Sequence, residues 1–290
     1  MFIEAQRTQY PVSMMCRLLN VSSSGYYQWQ KRKLRRGRIE DRQLLEIIRF
    51  HFNRSKGTYG YLRITAAIRK EGLKVNKKKT ARIMKANDIQ AKTKKKFRKT
   101  TNRDPKAAAS ENLLKQNFTT DKENKIWTSD ITYLRTNEGW LYLAIIMDIF
   151  SRRIIGWSIA GNLSTELILK AFKMAVINRN PSKGIIFHSD RGSRYTSSKF
   201  RNLLNNYGFI QSMSSTGNCY DNAITESFFH TLKTEHTYWH YYKTRQEAKQ
   251  SIFEFIEVFY NRERLHSASG FLSPVEFEEK SQLELFENVA

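Results

Sequence analysis

Trp127-Thr-Ser-Asp-Ile-Thr-Tyr133 is the stretch whose reading decides the fold. Trp127, Ile131 and Tyr133 alternate with Thr128, Asp130 and Thr132. A strand built from them turns apolar groups to one side and Asp130 with two threonines to the other. After the turn at Asn137-Glu-Gly139, residues 140–148 and 153–160 predict two more strands, the last almost wholly apolar. Sequential strands with such short connections form an antiparallel meander. Residues 165–178 then have helical spacing, with Leu167, Ala171, Met174 and Ala175 on one face. Residues 184–187 predict a short strand running into Asp190, 196–207 a helix and 209–213 a last strand. Asp221 reads as the cap of a helix that carries Glu226. The order β-β-β-α-β-α-β-α places the domain in the α/β class.

Asp130, Asp190 and Glu226 thus fall on the first strand, after the fourth strand and on the last helix. Taken singly, an Asp at a strand end is a turn or cap residue and a helical Glu is solvated. Taken together, three carboxylates at one sheet edge offer hard oxygen ligands to divalent metal and repel one another unless a cation neutralises them. We therefore expect all three to be both metal ligands and catalytic residues. Asp148, a fourth acid in Met147-Asp-Ile-Phe-Ser-Arg-Arg153, is expected to be structural, paired with Arg152 or Arg153.

Glu226 follows Asp190 after thirty-five intervening residues. That spacing, with Trp127-x-x-Asp-Ile-Thr-Tyr133 and Asp221-Asn-Ala-x-x-Glu-Ser-Phe-Phe229, resembles the integrase core of insertion-sequence transposases. It is most similar to the second-frame product, OrfB, of the family called insertion sequence three, itself similar to retroviral integrases. The resemblance implies a ribonuclease-H-like fold: a mixed five-stranded sheet with flanking helices, preceded by an all-α helix-turn-helix region. It implies Mg²⁺ or Mn²⁺, two ions, held by Asp130, Asp190 and Glu226. Cleavage would expose a 3′-hydroxyl at the element end, and that hydroxyl would then attack a second phosphodiester. It also implies homo-oligomers on paired DNA ends and a first-frame (OrfA) product as frameshift fusion or partner.

Charge divides the chain. Its formal net charge is +23. Residues 1–126 hold 32 Lys and Arg against 10 Asp and Glu, whereas the remainder is nearly neutral. The first part is built for a polyanion. Residues 11–19 and the segment opening at Tyr26 predict a helix pair, either a small helix-turn-helix or an ordinary hairpin. Met14, Met15, Leu18 and Leu19 form the expected apolar side. Helices follow at 40–52 and, opening at Tyr59-Gly-Tyr61, through Ile64 and Ile68. Asn76 caps another that opens with Lys77, Lys78 and Lys79, three cations that oppose the helix dipole and suit DNA phosphates instead. The pattern Tyr59-Gly-Tyr61, Gly72-Leu73 and Asn76-Lys-Lys78 resembles the family's helix-turn-helix block. The expected divisions are 1–91 helical DNA-binding region, 92–125 basic linker, 126–245 catalytic core and 246–290 helical extension.

Ser214 to Asn218 reads as a mobile loop before the Glu226 helix, and the resemblance implies that it closes on the substrate end. Lys233 lies two turns beyond Glu226, either as a phosphate-holding cation or as a surface lysine. His188 and His230 are either bases or packing residues. Residues 248–260 predict a helix, and Tyr260-Asn-Arg-Glu-Arg-Leu-His266 resembles the family's C-terminal block, with Ser269 where leucine is usual. Arg264 there either touches DNA or braces the core helix. Cys16 and Cys219 match no zinc spacing and no disulfide framework. Without a signal core or a membrane-length apolar run, a cytoplasmic, DNA-associated protein is expected. The leading function is a DNA transposase catalytic subunit. The alternatives are a non-catalytic DNA-binding regulator and a ribonuclease-H-like nuclease.

Overall fold

The computed structural model describes residues 2–34, 40–92, 110–114, 117–214 and 222–287. The basic run at 31–38, residues 93–109, 115 and 116 of the linker, the loop at 215–220 with Cys219, and Asp221 lie outside the described side chains.

The strands form as their alternation predicts. β1 (Ile126–Thr136), β2 (Gly139–Asp148) and β3 (Ile154–Ala160) are an antiparallel meander. β4 (Ile186–Ser189) and β5 (Ile210–Met213) add on in parallel, giving the order β3-β2-β1-β4-β5. Parallel neighbours require crossovers. These are α7 (Thr165–Arg179), between β3 and β4, and α8 (Ser198–Asn206), between β4 and β5.

Alternation along β1 and β2 sends side chains into two cores. Trp127, Ala144 and Ile146 join Phe172 and Phe200 of α7 and α8 on one face. Leu134, Leu141, Leu143 and Ile145 join the C-terminal helices on the other. Gly156 lets α7 lie directly on β3, because a Cβ there would come within 2.3 Å of the Ala171 carbonyl oxygen and 2.7 Å of the Ala175 nitrogen. Both obstacles are backbone and cannot swing aside. Gly156→Ala is expected to cost about 1–3 kcal/mol by overpacking. The expected readout is a lower urea midpoint with an unchanged m-value.

The second face is covered by α9 (Ala223–Glu235), α10 (Arg245–Phe253) and a π-helical continuation, Glu254–Glu263. The wider turn of that continuation carries Asn261 inward. Its amide accepts from the Ile154 N–H at 3.0 Å and donates to the Ile154 carbonyl at 2.9 Å, satisfying the start of edge strand β3. α11 (Pro274–Glu287) is held by buried Glu278, which accepts from Ser151 and pairs with Arg153 and Arg179.

Asp148 is wholly buried and structural, but not through Arg152 or Arg153. Its carboxylate accepts the N–H groups of Asn124 and Phe150 at 2.8 and 3.1 Å, and its nearest cation is Arg179 at 4.0 Å. The tight turn after β2 lets Asp148 close on its own loop, so the neighbouring arginines point elsewhere.

The N-terminal helices are α1 (Phe2–Gln6), α2 (Val12–Leu18) and α3 (Ser23–Leu34). Ile3, Met15, Cys16 and Tyr26 make a small cluster of their own. Met14, Leu18 and Leu19 are exposed, contrary to the expected apolar side. In so short a helix the buried face narrows to the Met15–Cys16 edge. α4 (Asp41–Arg54), α5 (Tyr61–Lys70) and α6 (Lys77–Ala86) then bury Leu44, Ile48, Ile64, Ile68 and Ile83. The α5–α6 pair is the helix-turn-helix, turned at Gly72, whose φ of +83° favours glycine. Its apolar cluster runs on without a break into that of the C-terminal helices. Among the described residues no helix is long and apolar enough to cross a membrane.

Candidate active site

Each acidic residue arrives on a different element, and the sheet register brings the two aspartates level. β1 and β4 run parallel with Thr128 opposite His188. Two residues further along each chain come Asp130 and Asp190. Glu226 is delivered by the first turn of α9. Thr128, on the same side of β1 as Asp130, fixes that turn: its hydroxyl donates to the Asn222 side-chain oxygen at 3.2 Å and lies 2.9 Å from the Thr225 hydroxyl. All three groups are buried, so the bonds are dry and the turn is held against the strand.

The electrostatics record the convergence. Burial first, then the charges of Asp190 and Glu226, push the Asp130 carboxyl up to about 8, against the Ile131 N–H and Lys233. The Ile131 N–H donates to Asp130 Oδ1 at 2.7 Å. The Gly192 N–H donates to Asp190 Oδ1 at 2.9 Å, where a Cβ on residue 192 would itself stand 2.9 Å from that oxygen. Beneath them the buried Tyr195 hydroxyl lies 2.8 Å from the Ser129 hydroxyl, and burial with two nearby carboxylates keeps it protonated. Lys233 is half-buried, with its ammonium 5.1 Å from the centre of the Tyr133 ring. Burial lowers its pKa, and the charge of Asp130 opposes that fall.

Among the described residues no three His, Cys, Asp or Glu side chains are close enough to enclose a metal ion as they stand. The donor chemistry nonetheless fits a hard divalent cation. The groups are carboxylates, and the repulsion that raises the Asp130 pKa is what such a cation would remove.

Known proteins resemble this chain along nearly its whole length. The integrase core domain family matches residues 120–219 and, through a second model of the same description, 226–282. An HTH-like domain matches 38–97. Transposase InsF for insertion sequence IS3A of Escherichia coli (strain K12) is 40% identical over 285 residues, spanning 97% of this chain and 98% of that protein. The 31 kDa protein of insertion element IS600 from Shigella sonnei is 41% identical over 267 residues, 92% of this chain and 98% of that one. The chain belongs to the insertion-sequence-three OrfB transposase family. Among solved structures, a simian T-cell lymphotropic virus intasome is similar over 80% of this chain and 74% of that one, at 13% identity and a TM-score of 0.46.

The remaining candidate residues of this transposase fall into two groups. Lys77 and Lys78 are exposed at the start of α6, where the Asn76 side chain accepts from the Lys78 N–H at 2.8 Å. Lys79 is turned to Asp41 at 2.9 Å, beside Arg82 on the same carboxylate. Arg264 is buried and grips Glu235, the last residue of α9, with bonds of 2.8 and 2.6 Å. Of its two expected roles the geometry gives it the brace. His188 is wholly buried, with its ring nitrogens 2.9 Å from the Ser212 hydroxyl and 3.4 Å from that of Ser214. It therefore braces β4 against β5 and the loop that follows, whereas His230 is exposed on α9.

Thr128, Thr225 and Tyr195 were not expected as positioning residues. Thr128 carried a usable signal, two residues from Asp130 on the same strand face. Tyr195 carried none, because its partner Ser129 lies sixty-six residues away.

Proposed function

We propose that this chain is the catalytic subunit of a DNA transposase, a DDE-type polynucleotidyl transferase that cuts the 3′ ends of an insertion element and joins them to target DNA. The supporting observation is that Asp130, Asp190 and Glu226, from three different elements, are near enough for the charges of Asp190, Glu226 and Lys233 all to act on the Asp130 carboxyl. These carboxylates would hold Mg²⁺ or Mn²⁺, two ions; bound there, such ions polarise the scissile phosphodiester and lower the pKa of the attacking hydroxyl.

The chain's own residues orient the reaction. The N–H groups of Ile131 and Gly192 each fix one oxygen of an aspartate, leaving the other for ligation, so little reorganisation is needed when substrate arrives. Lys233 holds a phosphate of the element end beside the carboxylates. Lys77 and Lys78 contact the DNA backbone from the start of α6. Lys79 follows through its contact with Asp41, which DNA phosphates would compete to replace. Paired ends are held by a homo-oligomer in the cytoplasm, with the first-frame product as fusion or partner.

Labelled element-end DNA, incubated with purified protein and Mg²⁺, tests this directly. Joined products are the expected outcome. Cut products alone would replace the proposal with a nuclease, and a mobility shift without either product would replace it with a regulator.

A further inference from the structure

A small polar cavity of about 120 Å³ lies behind the helix that carries Glu226. Arg63 of α5, Arg152 of the turn between β2 and β3, and Arg264 and His266 of the C-terminal segment line it, with Ser227 and Thr231 of α9. At 3.6 residues per turn, Ser227 and Thr231 lie roughly 100–140° round α9 from Glu226. The cavity therefore opens on a different face from the carboxylates.

Its charge is unbalanced. Two of its three guanidinium groups share one carboxylate, Glu235, which pairs with Arg63 at 3.1 Å and Arg264 at 2.6 Å. Arg152 has no ion-pair partner among the described residues, and its backbone is left-handed, with φ +63°. A non-glycine residue persists in that region only when its surroundings hold it there. Here the Arg152 N–H donates to the Asp148 carbonyl at 2.9 Å and the Asp148 N–H to the Arg153 carbonyl at 3.0 Å, closing the turn. His266 adds no charge: burial and the three arginines push its pKa down to about 2. A planar guanidinium matches phosphate oxygens in pairs, and hydroxyls such as those of Ser227 and Thr231 complete that kind of site. The space is enough for one tetrahedral oxyanion.

We propose that this cavity is a phosphate-binding site, with Arg152 as the cation that closes on the ligand, taking either a backbone phosphodiester of DNA or free inorganic phosphate. It does not rest on the carboxylate chemistry, and its test needs no metal. The full chain is melted in EDTA with inorganic phosphate or chloride at matched ionic strength. Phosphate at about ten times its dissociation constant is expected to raise the wild-type melting temperature by about 2–4 °C, saturably. Arg152→Gly suits the left-handed backbone, so it is expected to fold and to lose that rise. Arg152→Asn, a second neutral residue at home in that region, is expected to do the same, and Arg152→Lys to keep part of it. A wild-type protein without the rise, or neutral variants that retain it, overturns the proposal. Where the rise is lost in the variants, the salt dependence of binding to a 30-base-pair duplex assigns the source. A log–log slope lower by about one in Arg152→Gly identifies a DNA phosphodiester, and an unchanged slope identifies free phosphate.

Discussion

Asp130→Asn is expected to abolish strand transfer, by at least about 10³-fold, while making the metal-free protein more stable. Both effects have one cause. Asp130 is carried into a crowded position on β1 beside two other carboxylates, and its carboxyl is pushed up to about 8. In the unfolded chain the same group ionises near 3.8. At neutral pH, folding must therefore return a proton to Asp130 or confine an unwelcome charge, at a cost on the order of a few kcal/mol. Asparagine has nearly the same shape, keeps an oxygen for the Ile131 N–H and needs no proton. Its melting temperature in EDTA should exceed that of wild type by several degrees.

Mg²⁺ should then raise the wild-type melting temperature and leave that of Asp130→Asn nearly unmoved, because the variant has lost a ligand and the repulsion that a cation relieves. DNA affinity should change less than threefold. Equal melting temperatures in EDTA would show that Asp130 is not under strain in the fold. Wild-type strand transfer by the variant would remove it from the chemistry.

The features legible in the sequence were those written locally. Trp127 to Tyr133 carries a period of two, and β1 follows it. Asn76 before three lysines reads as a helix cap, and its side chain does accept from the Lys78 N–H. The acidic residues could be placed on their elements because each sits in a recognisable sequence setting. Long-range pairing was not legible. Asp148 has two arginines within five residues yet is nearest to Arg179, since Arg153 pairs with Glu278 and Arg152 lines the cavity behind α9. Met14, Leu18 and Leu19 are apolar at helical spacing, but nothing in seven residues of helix says how little of the chain will cover them. Arg264 was ambiguous because a brace and a DNA contact both call for arginine. Only the position of Glu235, twenty-nine residues earlier in the chain, separates the two.

Glu235 is also where the second large effect is expected. It closes α9, nine residues after Glu226, and takes Arg264 through both carboxylate oxygens and Arg63 of the helix-turn-helix through one. Arg264 is only 4% exposed, so water cannot replace a lost partner. Glu235→Ala should therefore destabilise the protein by about 3–5 kcal/mol, the cost of leaving a buried charge uncompensated rather than the strength of the pair itself. Removing the charge as well should recover much of it: Glu235→Ala combined with Arg264→Met is expected to be more stable than Glu235→Ala alone. Arg63 can turn to solvent, and its bond to the Leu265 carbonyl at 3.0 Å does not depend on Glu235. A loss below about 1 kcal/mol in urea denaturation would mean that the pair behaves as an exposed one. A double variant no more stable than the single would place the cost in lost packing instead of stranded charge. Either result would mean that this one carboxylate does not fasten the helix-turn-helix and the C-terminal block to the far end of the helix that carries Glu226.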